Sequence, residues 1–246
     1  TGVEKDFFLS LLARELKVSA SEILDYELYL YNCDAGDVLG IQEDMISAPR
    51  LDNITSVEAC LQGLLNQKRE KGIDIIALFD NEEIGSRTKQ GADSEFLYRL
   101  LKKIYRCLGV NEENAETAIL GGFALSLDVA HGFHPNKPDK SDPTNPNPLG
   151  KGVVIKRSSA QNYVTDSEAV ATAMMIFENE GIPYQKFASR SDVSQGGTLG
   201  SIASKYLPMK MVDMGVPILA MHSARELMAA ADQYYLEEFV TAFFEQ

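Results

Sequence analysis

The sequence predicts an α/β fold in which helices pack on a central sheet. Short apolar runs of strand length alternate along the chain with longer segments whose apolar residues recur at helical spacing. Hydrophobic residues make up 45% of the 246 positions and charged residues 24%, a balance typical of a globular protein with a buried core. The length allows one large domain or two small ones, and the pattern changes character near residue 45.

The N-terminal part predicts a helix followed by two short strands. Residues 7–18 carry apolar side chains at spacings of three and four, which predicts a short helix. Ser19 and Glu22 have the spacing of a capping box, so a further helical turn is expected there. The segment YELYLYN, residues 26–32, alternates as a half-buried strand does, and MISAP, residues 45–49, predicts another short strand.

Beyond residue 50 the predicted helices and strands alternate regularly. Helices are predicted over 55–70, 93–108, 166–180 and the last 24 residues, beginning near Ser223. Strands are predicted over 73–79, 123–129, 153–156, 184–188 and in the apolar stretch 211–220. The first of these, IDIIALF, is almost continuously apolar and is expected to be buried on both faces. Residues 131–150 hold five of the nine prolines, which predicts a long irregular loop.

Charge and cysteine content exclude several classes of function. The chain has 36 acidic and 23 basic residues, and its net charge of −13 disfavours binding to nucleic acid or to an anionic membrane surface. No apolar run approaches the roughly 18 residues that span a bilayer, and the first ten residues do not resemble a signal peptide. The chain has three cysteines, Cys33, Cys60 and Cys107, which is an odd number, and they lie far apart in the sequence. This pattern favours reduced thiols and a cytoplasmic protein.

Carboxylates and imidazoles follow four of the predicted strands. In order along the chain they are Asp52, then Asp80, Glu82 and Glu83, then Asp128, His131 and His134, and finally His222. Ligands of open α/β sheets bind beyond the carboxyl ends of the strands, so these side chains are expected to meet. Carboxylate and imidazole groups are the usual ligands of Zn²⁺ and similar ions, and the sequence therefore predicts a divalent metal site.

Adjacent glutamates offer both a ligand and a base. In a loop, one carboxylate of Glu82 and Glu83 can bind a metal while the other accepts a proton from an activated water. Each of these residues also has a non-catalytic alternative. Glu82 and Glu83 would be a solvated pair in a loop, His222 a core or helix-capping residue, and Asp52 a helix cap. GGTLG at 196–200 is a weak phosphate-loop pattern, and the chain contains no GxSxG or HExxH motif.

Six motifs, taken in order, resemble the aspartyl aminopeptidase family of dinuclear zinc peptidases. They are RLDN, FDNEEIGS, SLDVAHGFHPN, VVIK, SRSDVSQGGTLG and AMHSARE. The resemblance implies a phosphopeptidase-like three-layer α/β sandwich with a central mixed sheet over residues 43–246. It also implies that residues 1–42 are the tail end of a β-rich dimerisation domain, and that the protein is a homo-oligomer, a dodecamer in the family.

The resemblance also assigns roles to individual residues. It implies that Glu82 is the general base and that Asp52 bridges two metal ions. Glu83 and His222 are the implied further ligands of one ion, and Asp128 is the implied further ligand of the other. Lys156 and His134 are assigned to substrate binding. The implied cofactors are two divalent ions, zinc first, with cobalt or manganese as alternatives. The implied reaction is hydrolysis of an N-terminal, acidic residue (Asp or Glu) from a peptide by a zinc-activated water.

One ligand of the family pattern is not found in this sequence. The family's second metal takes a histidine from an early strand, whereas the first histidine of this chain is His131. The chain is therefore expected to be the C-terminal part of a family member, with the missing histidine supplied by an N-terminal segment or a separate chain. Two alternatives remain, a related dinuclear metal deacylase or carboxypeptidase and a catalytically incomplete scaffold subunit.

Overall fold

Helices pack on both faces of a mixed four-stranded sheet at the centre of residues 34–246. The computed structural model describes residues 6–190, 192–193 and 196–246. The chain divides into two units, Thr1–Cys33 and Asp34–Gln246. The predicted boundary at residues 42 and 43, and the assignment of the first part to a dimerisation domain, stay predictions. Residues 191, 194 and 195 of the SRSDVSQGGTLG motif lie outside the described residues.

Nine strands and seven α-helices are found in the described part of the chain. The strands are β1 Asp37–Leu39, β2 Met45–Ala48, β3 Phe123–Leu127, β4 Ala130–His131, β5 Val153–Arg157, β6 Tyr184–Ala188, β7 Lys210–Gly215, β8 Pro217–Leu219 and β9 Glu226–Ala229. The helices are α1 Phe7–Leu16, α2 Leu51–Asn66, α3 Phe96–Cys107, α4 Glu112–Leu120, α5 Ser167–Glu180, α6 Leu199–Ala203 and α7 Ala230–Phe244.

The strands form two sheets. The central sheet has the order β3-β7-β5-β6, in which β3 is parallel to β7, β5 is parallel to β6, and β5 is antiparallel to β7. The second sheet has the order β1-β2-β9-β8-β4 and is antiparallel except for the pair β4 and β8. The predicted α/β class with a mixed sheet is confirmed.

Alternation along β5 and β7 sends side chains into two separate apolar layers. Ile155 and Met214 belong to the main core, where the rings of Phe177 on α5 and Phe239 on α7 stack 4.0 Å apart. Met211 faces the other way and packs with residues of α3 and α4. Because both faces of the sheet are covered, its strands carry apolar residues on both sides.

Local capping explains where the helix α5 begins and ends. The Asp166 side chain accepts a hydrogen bond from the N–H of Ala169, which fixes the start of α5. Gly181 ends this helix in the left-handed conformation, with φ 68°. The helix predicted at 166–180 is thereby confirmed, and so is the capping box of Ser19 and Glu22.

The apolar segment 73–79 is not a strand, contrary to the prediction. Much of it is exposed, including 37% of Ile73, 37% of Ile75 and 58% of Leu78. Among the described residues the central sheet ends at β3, so no strand lies beside 73–79 to complete a ladder. An apolar run becomes a strand only when a neighbour satisfies its backbone groups, and here that neighbour is not present.

Two further predictions are wrong for related reasons. Residues 26–32 form no strand, and Leu28, Leu30 and Tyr31 are exposed, because alternation without a pairing partner does not make a sheet. The C-terminal helix begins at Ala230 rather than near Ser223, because Glu226–Ala229 instead pairs as β9 between β2 and β8. Tertiary pairing overrides the helical pattern there. None of the helices described is long and apolar enough to cross a bilayer.

We expect Gly215→Ala to destabilise the fold. A Cβ atom at Gly215, the last residue of β7, would lie 1.9 Å from the carbonyl oxygen of Asp128 and 2.6 Å from its carbonyl carbon. Since both obstacles are backbone atoms, the strand would have to shift, and overpacking of this kind typically costs about 1–3 kcal/mol. Urea unfolding measures the loss. The control is Gly196→Ala, whose added methyl group meets nothing within 4 Å. Equal stabilities of Gly215→Ala and the unsubstituted chain would contradict the close approach.

Candidate metal site

Three of the residues predicted as metal ligands meet at one point. The Nε2 atom of His222 lies 3.1 Å from Oδ2 of Asp52 and 3.2 Å from Oε1 of Glu83. One ligand atom from each residue falls within 4.8 Å of the others. The Asp52 side chain is 9% exposed, whereas those of Glu83 and His222 are 58% and 61% exposed. Asp52 is therefore the buried member of the cluster, whereas the side chains of Glu83 and His222 are exposed to solvent.

Turns at the ends of strands place these three side chains. Asp52 follows β2 and has non-helical backbone angles, φ −81° and ψ 103°, before the regular part of α2 begins. Its peptide bond to Asn53 is cis. His222 lies between β8 and β9 in the left-handed conformation, with φ 66°. The expectation that ligands gather beyond strand ends is thus met by β2 and β8.

Glu82 and Glu83 lie in a 3-10 turn, Glu82–Ile84, rather than directly after a strand. Asn81 enters the turn in the left-handed conformation, and its carbonyl oxygen accepts the N–H of Ser86 at 2.8 Å. Within this turn the carboxylate of Glu83 contacts His222. Burial raises the pKa of Glu82, and the charges of Asp128 and Glu83 raise it further.

Asp128 is not part of the three-residue cluster. It follows β3, and its Oδ2 lies 3.4 Å from Nζ of Lys156, which is 2% exposed. Lys156 also donates to the carbonyl oxygen of Val129 at 3.2 Å, and its Nζ lies 5.1 Å from the centre of the Tyr163 ring. The lysine assigned to substrate binding is therefore a buried partner of Asp128, below the rim of the site. Its charge still reaches Glu82, whose pKa it lowers.

The other predicted substrate residue, His134, is exposed in the proline-rich loop. Its Nδ1 accepts the backbone N–H of Asn136 at 3.2 Å, a contact within the loop. The structure does not bring His134 into the cluster of Asp52, Glu83 and His222. Its role in substrate binding remains a prediction.

The chemistry of the cluster fits a divalent cation. Burial, followed by the charges of Asp128 and Glu83, raises the pKa of Asp52 from 3.8 to about 7, although His222 acts to lower it. A carboxylate in that position is deprotonated more readily when a positive charge lies beside it. Two carboxylates and an imidazole form a donor set of the kind that holds catalytic zinc, with a coordination position left for water.

Two residues that hold the site together are not found by sequence reasoning. Glu226 is 2% exposed, and its two carboxylate oxygens accept the N–H groups of Asp52 and His222. Asn53 donates from Nδ2 to the carbonyl oxygen of Leu127 at 2.9 Å, which ties the start of α2 to the end of β3. Glu226 lies in the AMHSARE motif, where the spacing of apolar residues predicts a helix although the residue belongs to β9. The adjacency of Asn53 to Asp52 is the only signal for its role.

Comparisons with known proteins agree with this geometry. Residues 3–244 match the family of aminopeptidase I zinc metalloproteases, M18. A probable M18 family aminopeptidase 2 from Clostridium acetobutylicum is 41% identical over 241 residues, which cover 98% of this chain and 56% of that protein. The cryo-EM structure of the Ape4 and Nbr1 complex contains a chain with TM-score 0.87 and 32% identity, covering 98% of this chain and 48% of the other.

The likeness extends to an assembled relative. The structure of the S. cerevisiae mApe1 dodecamer matches with TM-score 0.83 and 25% identity, over 97% of this chain and 54% of that one. The chain spans about half the length of the proteins it matches. Because the family match covers all but the first two and last two residues, and the ligand cluster fits the family's metal, this chain belongs to the M18 family of zinc metalloproteases.

Proposed function

We propose that this chain carries the catalytic site of a metal-dependent aminopeptidase. The observation that supports it most directly is the cluster of Asp52, Glu83 and His222 beside a second glutamate, Glu82. Family membership supports the same reaction, since the matching family is one of zinc aminopeptidases. We propose zinc as the metal, and peptides with a free N-terminal residue as substrates.

The chain's own residues would divide the work between holding the ion and moving a proton. Asp52, Glu83 and His222 would hold the ion. When bound, it supplies Lewis acidity to a water molecule and to the scissile carbonyl. A carboxylate oxygen of Glu82 would accept the proton from the attacking water. As the carbon–nitrogen bond breaks, Glu82 would return that proton to the leaving amine nitrogen. The raised pKa of Glu82 suits a group that must both accept and release a proton.

Glu82→Gln is expected to abolish most activity and leave metal binding nearly intact. Glutamine keeps the shape of the side chain and cannot accept the proton, so turnover should fall by about 10²–10⁴-fold. Glu83→Gln removes a ligand and should lower metal affinity as well. The measurements are peptide hydrolysis, in whichever form of the protein has measurable turnover, and metal content after dialysis. Equal metal loss in the two variants would show that their roles are misassigned.

We further propose a preference for acidic N-terminal residues, based on Lys156. This side chain is a buried cation, and its partner Asp128 lies 3.4 Å away at the edge of the site. A positive charge in low-dielectric surroundings attracts a substrate carboxylate strongly. His134 is the second proposed substrate contact, from the exposed loop.

Lys156→Met should therefore reduce kcat/KM for aspartyl and glutamyl peptides about tenfold more than it reduces kcat/KM for leucyl peptides. A tenfold difference corresponds to about 1.4 kcal/mol, the energy expected at least for a charge pair between the ammonium group and the acidic side chain of the substrate. The matched control is Lys186→Met, an exposed lysine on the neighbouring strand β6. Steady-state rates on the three peptides decide the matter. A strong leucyl preference in the unsubstituted protein would contradict the proposal.

A second metal ion would need more than this chain contributes. We propose that Asp128 and a shared Asp52 hold it together with a histidine from an N-terminal segment or a separate chain. An open cavity of about 810 Å³ supports the presence of such a segment, because it runs along 73–79 and the free side of β3. Its lining is mainly apolar and includes Ile75, Leu78 and Leu125. An additional strand there would pair with backbone groups that are otherwise exposed.

The chain by itself is accordingly expected to hold at most one zinc ion when zinc is limiting, with little peptidase activity. Two carboxylates without an imidazole bind Zn²⁺ weakly, because ligand number and type set the affinity. Addition of the N-terminal part of the Clostridium acetobutylicum relative, fused or as a second chain, should raise both metal content and turnover. Elemental analysis and a peptide assay measure them. Two tightly bound ions and full turnover in the isolated chain would refute this proposal and point to His131 or His134 as the missing ligand.

Assembly and location complete the proposal. We propose a homo-oligomer, because a matching relative is a dodecamer. We propose the cytoplasm as its location, since Cys33, Cys60 and Cys107 are all free thiols, as expected in a reducing compartment.

A further inference from the structure

Glu226 is a buried carboxylate that the proposed reaction leaves without a role. It is the first residue of β9 and is 2% exposed. One carboxylate oxygen accepts the N–H of Asp52 at 2.9 Å, and the other accepts the N–H of His222 at 2.7 Å. A single side chain thus bonds to the backbone of two of the three clustered ligands.

This arrangement joins parts of the chain that are far apart in sequence. Asp52 and Glu226 are separated by 174 positions, whereas His222 and Glu226 are separated by four. Neither turn is held firmly by its own geometry, since Asp52 interrupts the first turn of α2 and His222 has φ 66°. A left-handed conformation is costly for a residue other than glycine and persists only where surrounding contacts enforce it.

The strand itself does not need this side chain. β9 pairs with β2 on one side and with β8 on the other through its backbone. The carboxylate of Glu226 takes no part in that backbone ladder. It accepts hydrogen bonds from the two turns that carry Asp52 and His222. Hydrogen bonds from N–H groups to a charged acceptor are shorter and stronger than neutral ones, so the spacing they impose is stiff.

We propose that Glu226 is a positioning residue, which fixes the separation of Asp52 and His222 through their backbone N–H groups and so presets the metal site. This inference rests on the proposed metallopeptidase function. Glutamine is a sharp test, because an amide offers one acceptor oxygen and turns an N–H₂ donor toward the other N–H group. Aspartate keeps both acceptor oxygens but is one methylene shorter, so it cannot span both turns unchanged.

The test compares Co²⁺ and Zn²⁺ binding by the unsubstituted chain, Glu226→Gln and Glu226→Asp, using competition with a chromogenic chelator. Loss of an outer hydrogen-bond partner of a metal ligand typically lowers affinity by about 10–100-fold, and we expect a loss of that size for glutamine and a smaller one for aspartate. The visible absorption of bound Co²⁺ should also change, because it reports coordination geometry.

Asp232 provides a matched control. It too is a fully buried carboxylate, and it accepts two backbone N–H groups, from Gly150 at 2.6 Å and Gly152 at 2.8 Å. It is not one of the clustered metal-ligating residues. Asp232→Asn should lower stability in urea unfolding without changing Co²⁺ affinity or absorption. Equal losses of affinity in Asp232→Asn and Glu226→Gln would reduce Glu226 to a general structural role and overturn the inference.

A measurement on the unsubstituted chain covers the case in which Glu226→Gln does not fold. The amide protons of Asp52 and His222 should exchange slowly with solvent, and free exchange of either in the folded chain would overturn the inference. Unchanged Co²⁺ binding and absorption in Glu226→Gln would overturn it as well, while leaving the metallopeptidase proposal intact. An unsubstituted chain that binds neither ion would instead refute the metal site itself, and the inference with it.

Discussion

Repulsion among carboxylates is the constraint on which the candidate site depends. The charges of Asp128 and Glu83 raise the pKa of both Asp52 and Glu82, and the Asp52 side chain is nearly buried. Two like charges 4 Å apart repel by about 4 kcal/mol at an effective dielectric constant of about 20. The fold opposes this with Lys156 beneath Asp128 and with His222 above Asp52. A bound cation would relieve the remainder, so the energetic cost of the acidic cluster is itself an argument for a metal.

The sequence locates the candidate ligands better than it locates the structure around them. Asp52, Glu83 and His222 can be found because polar residues that closely follow apolar runs stand out in a strand-rich pattern. That rule needs only the approximate end of each run, which is why Glu83 is found although 73–79 forms no strand. The surroundings depend on which segments pair across the whole chain, and neither periodicity nor spacing carries that information.

Two residues show this limit clearly. Lys156 has the same sequence context whether its ammonium group reaches solvent or Asp128, and its burial, with the ring of Tyr163 nearby, is decided by the tertiary fold. Glu226 lies in a segment whose apolar spacing is typical of a helix, so its position in β9 is decided by β2 and β8 on either side. In both cases long-range contacts outweigh the local pattern.

The pairing of β2 with β9 has a consequence for the order of events during synthesis. It brings residues 45–48 against 226–229, so the turns that carry Asp52 and His222 meet only after residue 229 has been synthesised. Such a long-range closure is a slow step in folding. A chain synthesised only as far as residue 222 would therefore have dispersed carboxylates and no assembled site, and ion loading would follow the pairing of β2 with β9 rather than guide earlier folding. Once formed, the native site would gain stability from the ion with the logarithm of its free concentration above the dissociation constant.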